Sequence, residues 1–221
     1  QQMQSTYDRS SFGLQAHWFV LLCPQSAFKM HPLFDRVLAR ILHDTPSHVH
    51  VVVTGGHRGS WTRAYSQRLY QALDTYAESR VVGLSTDDAA EARSLGHRLH
   101  IVPRVSSEKF QSLLSIAEVV LHPFPFDGSK TSADAVLAGV PFVTLPSEQL
   151  KGRMGVQYLR TMGLPQLAAH NASHYVDIAV RLATDPVFYT RTQALVRQRS
   201  HLIWEDIQVL HEWSSFLDRL H

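Results

Sequence analysis

The stretch PFPFDGSKTSADAVLAGVPFVTLP, residues 123–146, combines residue types that can bind an anion. Gly128 permits a tight turn, and TSADAVLAG is predicted to be a helix that ends at Gly139. The first turn of a helix offers unpaired N–H groups and the positive end of the helix dipole, so phosphate binds well there. A lysine in the same loop adds a charge-assisted hydrogen bond. The residues predicted to meet a phosphate are Ser129, Lys130, Thr131 and Ser132.

Asp134 lies in the first turns of this predicted helix. Its carboxylate can accept a hydrogen bond from a ribose hydroxyl while phosphates occupy the helix start. A purely structural alternative stays open, in which Ser129 or Thr131 caps the helix and Asp134 interacts with its dipole. Lys29 favours the ligand interpretation, because its loop follows a neighbouring strand in a sheet of this type and can point at the same phosphates.

Short apolar runs alternate with helix-like stretches along the chain, and these elements must position the two loops. Each run is apolar on both faces, as in a parallel sheet covered by helices such as those predicted over 31–43 and 66–80. The predicted class is therefore α/β, with a Rossmann-like parallel sheet and helices on both faces. The predicted strands are residues 17–22, 48–53, 80–84, 99–103, 118–123 and 141–146.

The chain reads as helical after Leu145, which predicts a set of closing C-terminal helices. Aromatic residues near the C-terminus, Trp204, Trp213 and Phe216, recur at about helical spacing and are predicted to lie in the core. Residues 1–221 contain no repeat and no linker that demands a division. They are predicted to form a single Rossmann-like domain.

Composition limits the partners of this chain. Its net charge is +2 and its lysines and arginines are dispersed, which argues against nucleic acid. No stretch approaches the ~20 apolar residues of a membrane span, and the polar N-terminus lacks a signal-peptide core. We therefore expect an intracellular protein in which Cys23, within an apolar run, is a buried structural thiol. A start at Gln1, with methionine only at position 3, suggests a fragment of a longer chain.

Two segments resemble a known family. QSAFKM, residues 25–30, together with residues 121–159, resembles the C-terminal catalytic half of O-GlcNAc transferase-like and SPINDLY-like glycosyltransferases, glycosyltransferase family 41. The similarity continues through residues 175–199. It implies the C-terminal half of a GT-B fold, which binds the nucleotide sugar in enzymes that modify Ser or Thr of cytoplasmic and nuclear proteins.

The resemblance implies roles for single residues. Lys29 matches the catalytic lysine that contacts the donor diphosphate, in a loop where Gln25 and Ser26 are also expected to bind substrate. Lys130 and Thr131 fall on a Thr-Thr pair at the phosphate-facing helix start. Further positions match the ribose-binding carboxylate, a histidine near the nucleotide base and an arginine after the next strand; they are Asp134, Phe110 and Arg153.

The sequence departs from the family pattern at four of these positions, where Gln25, Ser26, Lys130 and Phe110 replace the usual residues. The changes are compatible with a diphosphate site and leave the identity of the nucleotide base open. UDP-GlcNAc is the favoured donor, because the resemblance points to O-GlcNAc transfer. There are two alternatives. One is an O-fucosyltransferase that uses GDP-fucose, and the other is a degenerate domain that only binds a nucleotide or a partner.

The expected chemistry requires no metal cofactor. Lys29, Lys130 and the helix start would stabilise the charge that develops on the diphosphate, and the sequence has no Asp-x-Asp pair to hold Mg²⁺. His122, at a strand end, is expected either to contact the sugar or diphosphate or to be a buried, hydrogen-bonded imidazole. The resemblance places acceptor proteins on the other half and on preceding helical repeats, so we expect these residues alone to transfer little sugar.

Overall fold

The computed structural model describes residues 6–56, 58–81, 94–204 and 207–220, and within them it shows a five-stranded parallel sheet. The strand order is β3-β2-β1-β4-β5, and every neighbouring pair is parallel. The predicted α/β Rossmann-like class is therefore confirmed. The strands are β1 Phe19–Cys23, β2 Val49–Thr54, β3 Leu99–Val102, β4 Val119–Leu121 and β5 Phe142–Val143.

Helices cover the sheet, and the predicted closing helices follow the last strand. The helices are α1 Pro32–His43, α2 Gly59–Val81, α3 Ser107–Ser115, α4 Lys130–Leu137, α5 Met154–Thr161, α6 Ala172–Thr184, α7 Pro186–Arg199 and α8 Ile207–Asp218. Among the described ranges, no helix combines the length and apolar character that crossing a membrane requires.

Five of the six predicted strands are confirmed. The prediction of a strand over 80–84 is wrong for the two residues of this range that the structure describes. Arg80 and Val81 form the last residues of α2, and residues 82–84 lie outside the described residues. The run RVVGL is apolar but short, and periodicity cannot distinguish such a run from the end of a helix.

The core lies between the sheet and the helices on its two faces. All six residues of β2 are buried, as expected for a strand covered on both faces. Phe34 of α1 packs edge-on against Phe124 and Tyr175, with ring centroids 5.5 and 6.0 Å away. Cys23 is fully buried and burial raises the pKa of its thiol, in agreement with a structural role.

The unit β4–α4–β5 carries the motif that the sequence singles out. α4 ends at Leu137, and Gly139 then adopts a left-handed conformation, φ +70°, that turns the chain into β5. Because β1 lies between β2 and β4, the strand order reverses beside β1. Ligands of open α/β sheets bind at such a switch point, at the carboxyl ends of the strands.

The prediction that the last aromatic residues lie in the core is wrong. Trp204, Trp213 and Phe216 are 52%, 60% and 47% exposed, and every residue of α8 is exposed. The helical spacing correctly groups Trp213 and Phe216, whose rings meet edge-on at 6.0 Å. Spacing alone cannot say whether another element covers that face.

Candidate functional site

A cleft of about 480 Å³ opens at the carboxyl ends of the strands. Its walls come from the segments that follow β1, β2, β3 and β4, which is where the switch point predicts a ligand. The residues that line it are Pro24, Ser26, Thr54, Gly55, Arg104, Val105, Ser107, Phe110, Gln111, Lys130, Thr131 and Asp134. Five of the predicted substrate-binding residues are thus in the wall of one cleft.

Lys29 ends the short 3-10 helix Ala27–Lys29 that follows β1. It is absent from the described lining of the cleft, which its loop reaches through Pro24 and Ser26. Its Nζ donates to Gln25 Oε1 at 2.8 Å and to the carbonyl of Asp127 at 3.4 Å. The ammonium also lies 4.6 Å from the centroid of the Phe126 ring. Burial lowers the pKa of Lys29, and the charge of Asp127 partly opposes this shift. The geometry joins the β1 loop to the β4 loop, as the sequence predicts.

Asp127 connects the β4 loop to the start of α5. Its Oδ1 accepts from the Gly128 amide and its Oδ2 from the Gly155 amide, both at 2.7 Å. A Cβ on residue 155 would lie 2.5 Å from Asp127 Oδ2, so only glycine fits there. Sequence analysis did not assign this residue, although an Asp before Gly is a known turn signal.

His122 is fully buried behind the cleft rather than in its wall. Its Nε2 lies 3.0 Å from Ser132 Oγ, and its Nδ1 lies 3.4 Å from Gln25 Nε2. Burial lowers the pKa of His122 to about 4, so the ring is neutral near pH 7. Of the two expectations for this residue, the structure agrees with the buried, hydrogen-bonded imidazole.

Gly128 is required for close packing rather than for an unusual backbone conformation. Its φ is not positive, contrary to what a special glycine turn would need. A Cβ on residue 128 would instead lie 2.5 Å from His122 Nδ1 and 2.9 Å from Gln25 Nε2. The loop therefore rests directly on the buried imidazole.

The start of α4 lacks the side-chain cap that the structural alternative requires of Ser129. Within the described part of the chain, Ser129 occupies the N-cap position but its side chain makes no capping hydrogen bond. Its carbonyl accepts from the Ser132 amide at 3.1 Å and the Ala133 amide at 3.3 Å. Thr131 lies in the first turn and lines the cleft. The helix start thus faces the cleft without a competing side-chain acceptor at its N-cap.

Lys130 and Asp134 form an ion pair across one turn of α4. Lys130 Nζ lies 2.9 and 2.8 Å from the two carboxylate oxygens of Asp134. The Lys130 side chain is 82% exposed, whereas that of Asp134 is 12% exposed. The ammonium can therefore move freely, whereas the nearly buried carboxylate needs another donor if the pair separates.

The remaining predicted residues divide between the cleft and the surface. Phe110 of α3 lines the cleft. Arg153 is exposed at the N-terminus of α5 and is absent from the described lining of the cleft, so the structure does not bring it to the predicted site. The strand-end residues Thr54 and Gly55 line the cleft although the sequence analysis did not assign them. Their position at the end of β2 is the signal that would have found them.

Gln111 is a further cleft residue that the sequence analysis missed. Its Oε1 is buried and has no hydrogen-bond partner among the described residues. Among those same residues, no group of three or more His, Cys, Asp or Glu side chains is placed to hold a metal ion.

The fold and the cleft define the class of Rossmann-like α/β domains that receive a ligand at a strand-order switch point. The chain belongs to glycosyl transferase family 41, whose family model matches residues 88–206. This match includes the β4–α4–β5 unit.

A curated relative shares part of the sequence, and two solved structures share the fold. The chain is 29% identical over 102 residues to a probable UDP-N-acetylglucosamine–peptide N-acetylglucosaminyltransferase SPINDLY of Petunia hybrida, covering 46% of this chain. It superposes on a mutant O-GlcNAc transferase of Thermobaculum terrenum over 84% of its length, with TM-score 0.67 and 24% identity. It also superposes on Anabaena HepE in complex with UDP and glucose over 94% of its length, with TM-score 0.59 and 17% identity.

All three proteins are longer than the matched region. The match covers 11% of the petunia relative, 32% of the Thermobaculum terrenum chain and 51% of the Anabaena chain. At these identities the two solved structures show the fold alone.

Proposed function

We propose that this chain is the donor-binding half of a protein O-glycosyltransferase that transfers GlcNAc from UDP-GlcNAc to Ser or Thr. The observation that carries the proposal is the convergence of the Lys29 loop and the α4 start on one cleft at the switch point. Membership of glycosyl transferase family 41 and the name of the petunia relative support the reaction class. A cytoplasmic or nuclear location, expected from the resemblance, is part of the proposal.

The diphosphate would lie against the first turn of α4, where Thr131 and its neighbours offer backbone N–H groups. Two of the three donors of the Lys29 ammonium are used by Gln25 and Asp127 among the described residues, and the third serves a phosphate oxygen. As the glycosidic bond breaks, negative charge grows on the diphosphate. A half-buried ammonium and a helix dipole stabilise this charge without a metal ion.

Donor binding would exchange one ion pair for two new contacts. Lys130 would turn from Asp134 to the diphosphate, and the released Asp134 carboxylate would accept from a ribose hydroxyl. The exposed Lys130 ammonium can move at little cost, and the ribose hydroxyl would replace it as the donor to the nearly buried Asp134 carboxylate. It accounts for a lysine at a position where the resembled family has threonine.

The acceptor side of the reaction would lie elsewhere in the protein. None of the described cleft residues is a histidine or glutamate placed to deprotonate a hydroxyl. We therefore expect the preceding half and its helical repeats to bind the acceptor protein and supply the base. The 221 residues alone would bind the donor and transfer little or no sugar.

The cleft does not by itself select the nucleotide base of the donor. Phe110 and Gln111 border the cleft where the resemblance places the base, and neither is specific for uracil or guanine. UDP-GlcNAc is proposed because the petunia relative is named for that donor. GDP-fucose stays the alternative within the same diphosphate site.

Calorimetric titration in EDTA tests this function, with UDP, GDP, UDP-GlcNAc and GDP-fucose as ligands. Metal-free binding of one nucleotide, weakened about tenfold or more in Lys29→Ala, is expected, which is a loss of about 1.4 kcal/mol. Lys109→Ala removes the same charge from a residue that does not line the cleft and is the matched control. Equal effects of the two substitutions, or no binding of any nucleotide, would contradict the proposal.

A further inference from the structure

A continuous row of polar side chains runs behind the cleft, and we call Lys29, Gln25, His122 and Ser132 the buried relay. Lys29 Nζ lies 2.8 Å from Gln25 Oε1, and Gln25 Nε2 lies 3.4 Å from His122 Nδ1. On the other side of the ring, His122 Nε2 lies 3.0 Å from Ser132 Oγ, which contacts the carbonyl of Gly128. The relay links the β1 loop to the phosphate-facing turn.

The chemistry of the end groups fixes the direction of every hydrogen bond in the relay. An ammonium only donates, so the amide oxygen of Gln25 must face Lys29 and its NH₂ must face His122. Nδ1 of His122 is then the acceptor, and the single proton of a neutral ring is on Nε2 and is donated to Ser132 Oγ. Ser132 in turn donates to the Gly128 carbonyl, which can only accept.

The surroundings leave no room for another arrangement. His122 and Ser132 are fully buried and Gln25 is 3% exposed. A Cβ on residue 128 would lie 2.5 Å from His122 Nδ1 and 2.9 Å from Gln25 Nε2, so the loop backbone packs closely against both side chains. The Phe142 ring packs edge-on against His122 with centroids 5.0 Å apart.

We propose that His122 is a positioning residue, whose neutral ring with its proton on Nε2 holds the Gln25 amide oxygen toward Lys29 and so aims the ammonium at the cleft. The role of Lys29 as a diphosphate ligand rests on the proposed function, whereas the direction of the hydrogen bonds in the relay does not. If the ring were protonated on Nδ1, its N–H would face the NH₂ of Gln25, and two donors cannot form a hydrogen bond. The amide would then have to turn its NH₂ toward the ammonium.

The electrostatics around the ring agree with this assignment. Burial lowers the pKa of His122 to about 4, with the positive charge of Lys29 acting in the same direction and the negative charge of Asp127 against it. The ring is therefore neutral at pH 7, where its Nδ1 is free to accept from Gln25.

Nitrogen-15 NMR of the imidazole rings tests the direction of the relay without any nucleotide. The His122 signals, assigned by their loss in His122→Asn, are expected at pH 7 to show a protonated Nε2 and an unprotonated Nδ1. A ring protonated on Nδ1, or one that titrates near pH 6.5, would overturn the proposal.

Two substitutions separate positioning from mere packing. His122→Asn keeps an acceptor oxygen for Gln25, whereas His122→Leu has similar bulk and no acceptor. We expect the affinity for UDP to fall at least tenfold in His122→Leu and no more than threefold in His122→Asn. In the Lys29→Met background, His122→Leu should cost less than twofold, because its effect acts through the ammonium. Equal losses in both backgrounds would contradict the positioning role.

The outcome remains decisive if the unmodified chain binds no nucleotide. That result would refute the proposed function, and the ring NMR would still decide the direction of the relay. Urea unfolding of the parent chain, His122→Leu, Lys29→Met and the double variant would then form a double-mutant cycle that measures the coupling of His122 to Lys29. A coupling of zero would refute the relay itself.

Discussion

The two lysines of the cleft region differ in their surroundings, and so in their expected roles. Lys29 is half-buried and held by Gln25 and Asp127, whereas Lys130 is exposed and paired with Asp134. A held cation stabilises developing charge without reorganising, and a mobile one can follow the ligand. Lys29 is therefore the residue we expect to affect catalysis in the complete enzyme, and Lys130 the one that affects binding.

The paired roles of Lys130 and Asp134 predict a difference between two ligands. Asp134→Asn should weaken UDP binding about tenfold, because the ribose hydroxyl would then donate to a neutral amide oxygen instead of a charged carboxylate. Inorganic pyrophosphate has no ribose, so its affinity should change less than about twofold or increase. Lys130→Met should weaken the binding of both UDP and pyrophosphate. Titration calorimetry of both variants measures these affinities. Equal losses of affinity for UDP and for pyrophosphate in Asp134→Asn would show that the carboxylate does not bind the ribose.

The buried neutral His122 predicts how stability depends on pH. Its pKa is about 4 in the folded chain, below the ordinary value of 6.5, so the unfolded chain binds more protons between these values. The contribution of His122 to the free energy of unfolding should be constant above pH 6.5 and should decrease as the pH falls toward 4. The loss is on the order of 3 kcal/mol.

Urea unfolding between pH 4 and 7.5 measures this dependence. The decrease toward pH 4 should be smaller in His122→Asn, while the substitution of an exposed histidine, His48→Asn, should leave the curve unchanged. Parallel curves for the parent chain and His122→Asn would contradict the assignment of a buried neutral ring.

At the scale of elements, the β4–α4–β5 unit places its loop directly on buried side chains. Gly128 touches the His122 ring and the Gln25 amide, and Gly155 touches Asp127. The turn before α4 is thus held in place by the packing of two glycines against buried side chains. A pre-formed turn of this kind reduces the entropy cost of binding.

Gly128→Ala should destabilise this unit. The added Cβ would lie 2.5 Å from His122 Nδ1, and overpacking in a buried site costs about 1–3 kcal/mol. Gly59→Ala, at the start of α2, meets nothing within 4 Å and is the matched control. Urea unfolding should show the loss in the first variant and a change within about 0.5 kcal/mol in the second. Equal stability of the two variants would mean that the loop is not packed as described.

The sequence predicts the elements of this unit better than it predicts their contacts. Alternating apolar runs indicate the parallel sheet, and the Gly-Ser-Lys-Thr step marks the helix that starts at Lys130. The contacts of Asp127 and His122 depend on residues 28 and 97 positions away, at Gly155 and Gln25, which local patterns do not reveal. The error over 80–84 has the same origin, because a short apolar run fits a strand and a helix end equally well.

At the scale of the whole molecule, the chain spans only part of the length of the proteins that it matches. It covers half of the Anabaena structure and about a tenth of the petunia relative. The cleft is formed by one Rossmann-like sheet, and the α8 helix exposes Ile207, Leu210 and Trp213 beyond it. The sequence predicts the helical spacing of Trp213, but the exposure of all three residues depends on how the elements pack.

The exposure of α8 predicts that the domain folds without it. Truncation after Trp204 removes only exposed described residues, so the free energy of unfolding should change by less than about 0.5 kcal/mol. The Lys29-dependent binding of UDP should also be retained. Urea unfolding and calorimetry of the truncated chain measure both, and a loss above about 1 kcal/mol would show that α8 packs on the domain.

The crystal structure of this chain with UDP, grown without divalent metal, tests the central claim most directly. We expect the diphosphate at the start of α4, within hydrogen-bond distance of the Thr131 amide and Lys29 Nζ. The Lys130–Asp134 pair should be separated, with Asp134 on the ribose. A diphosphate bound away from the α4 start, or an intact Lys130–Asp134 pair beside a bound nucleotide, would contradict this account.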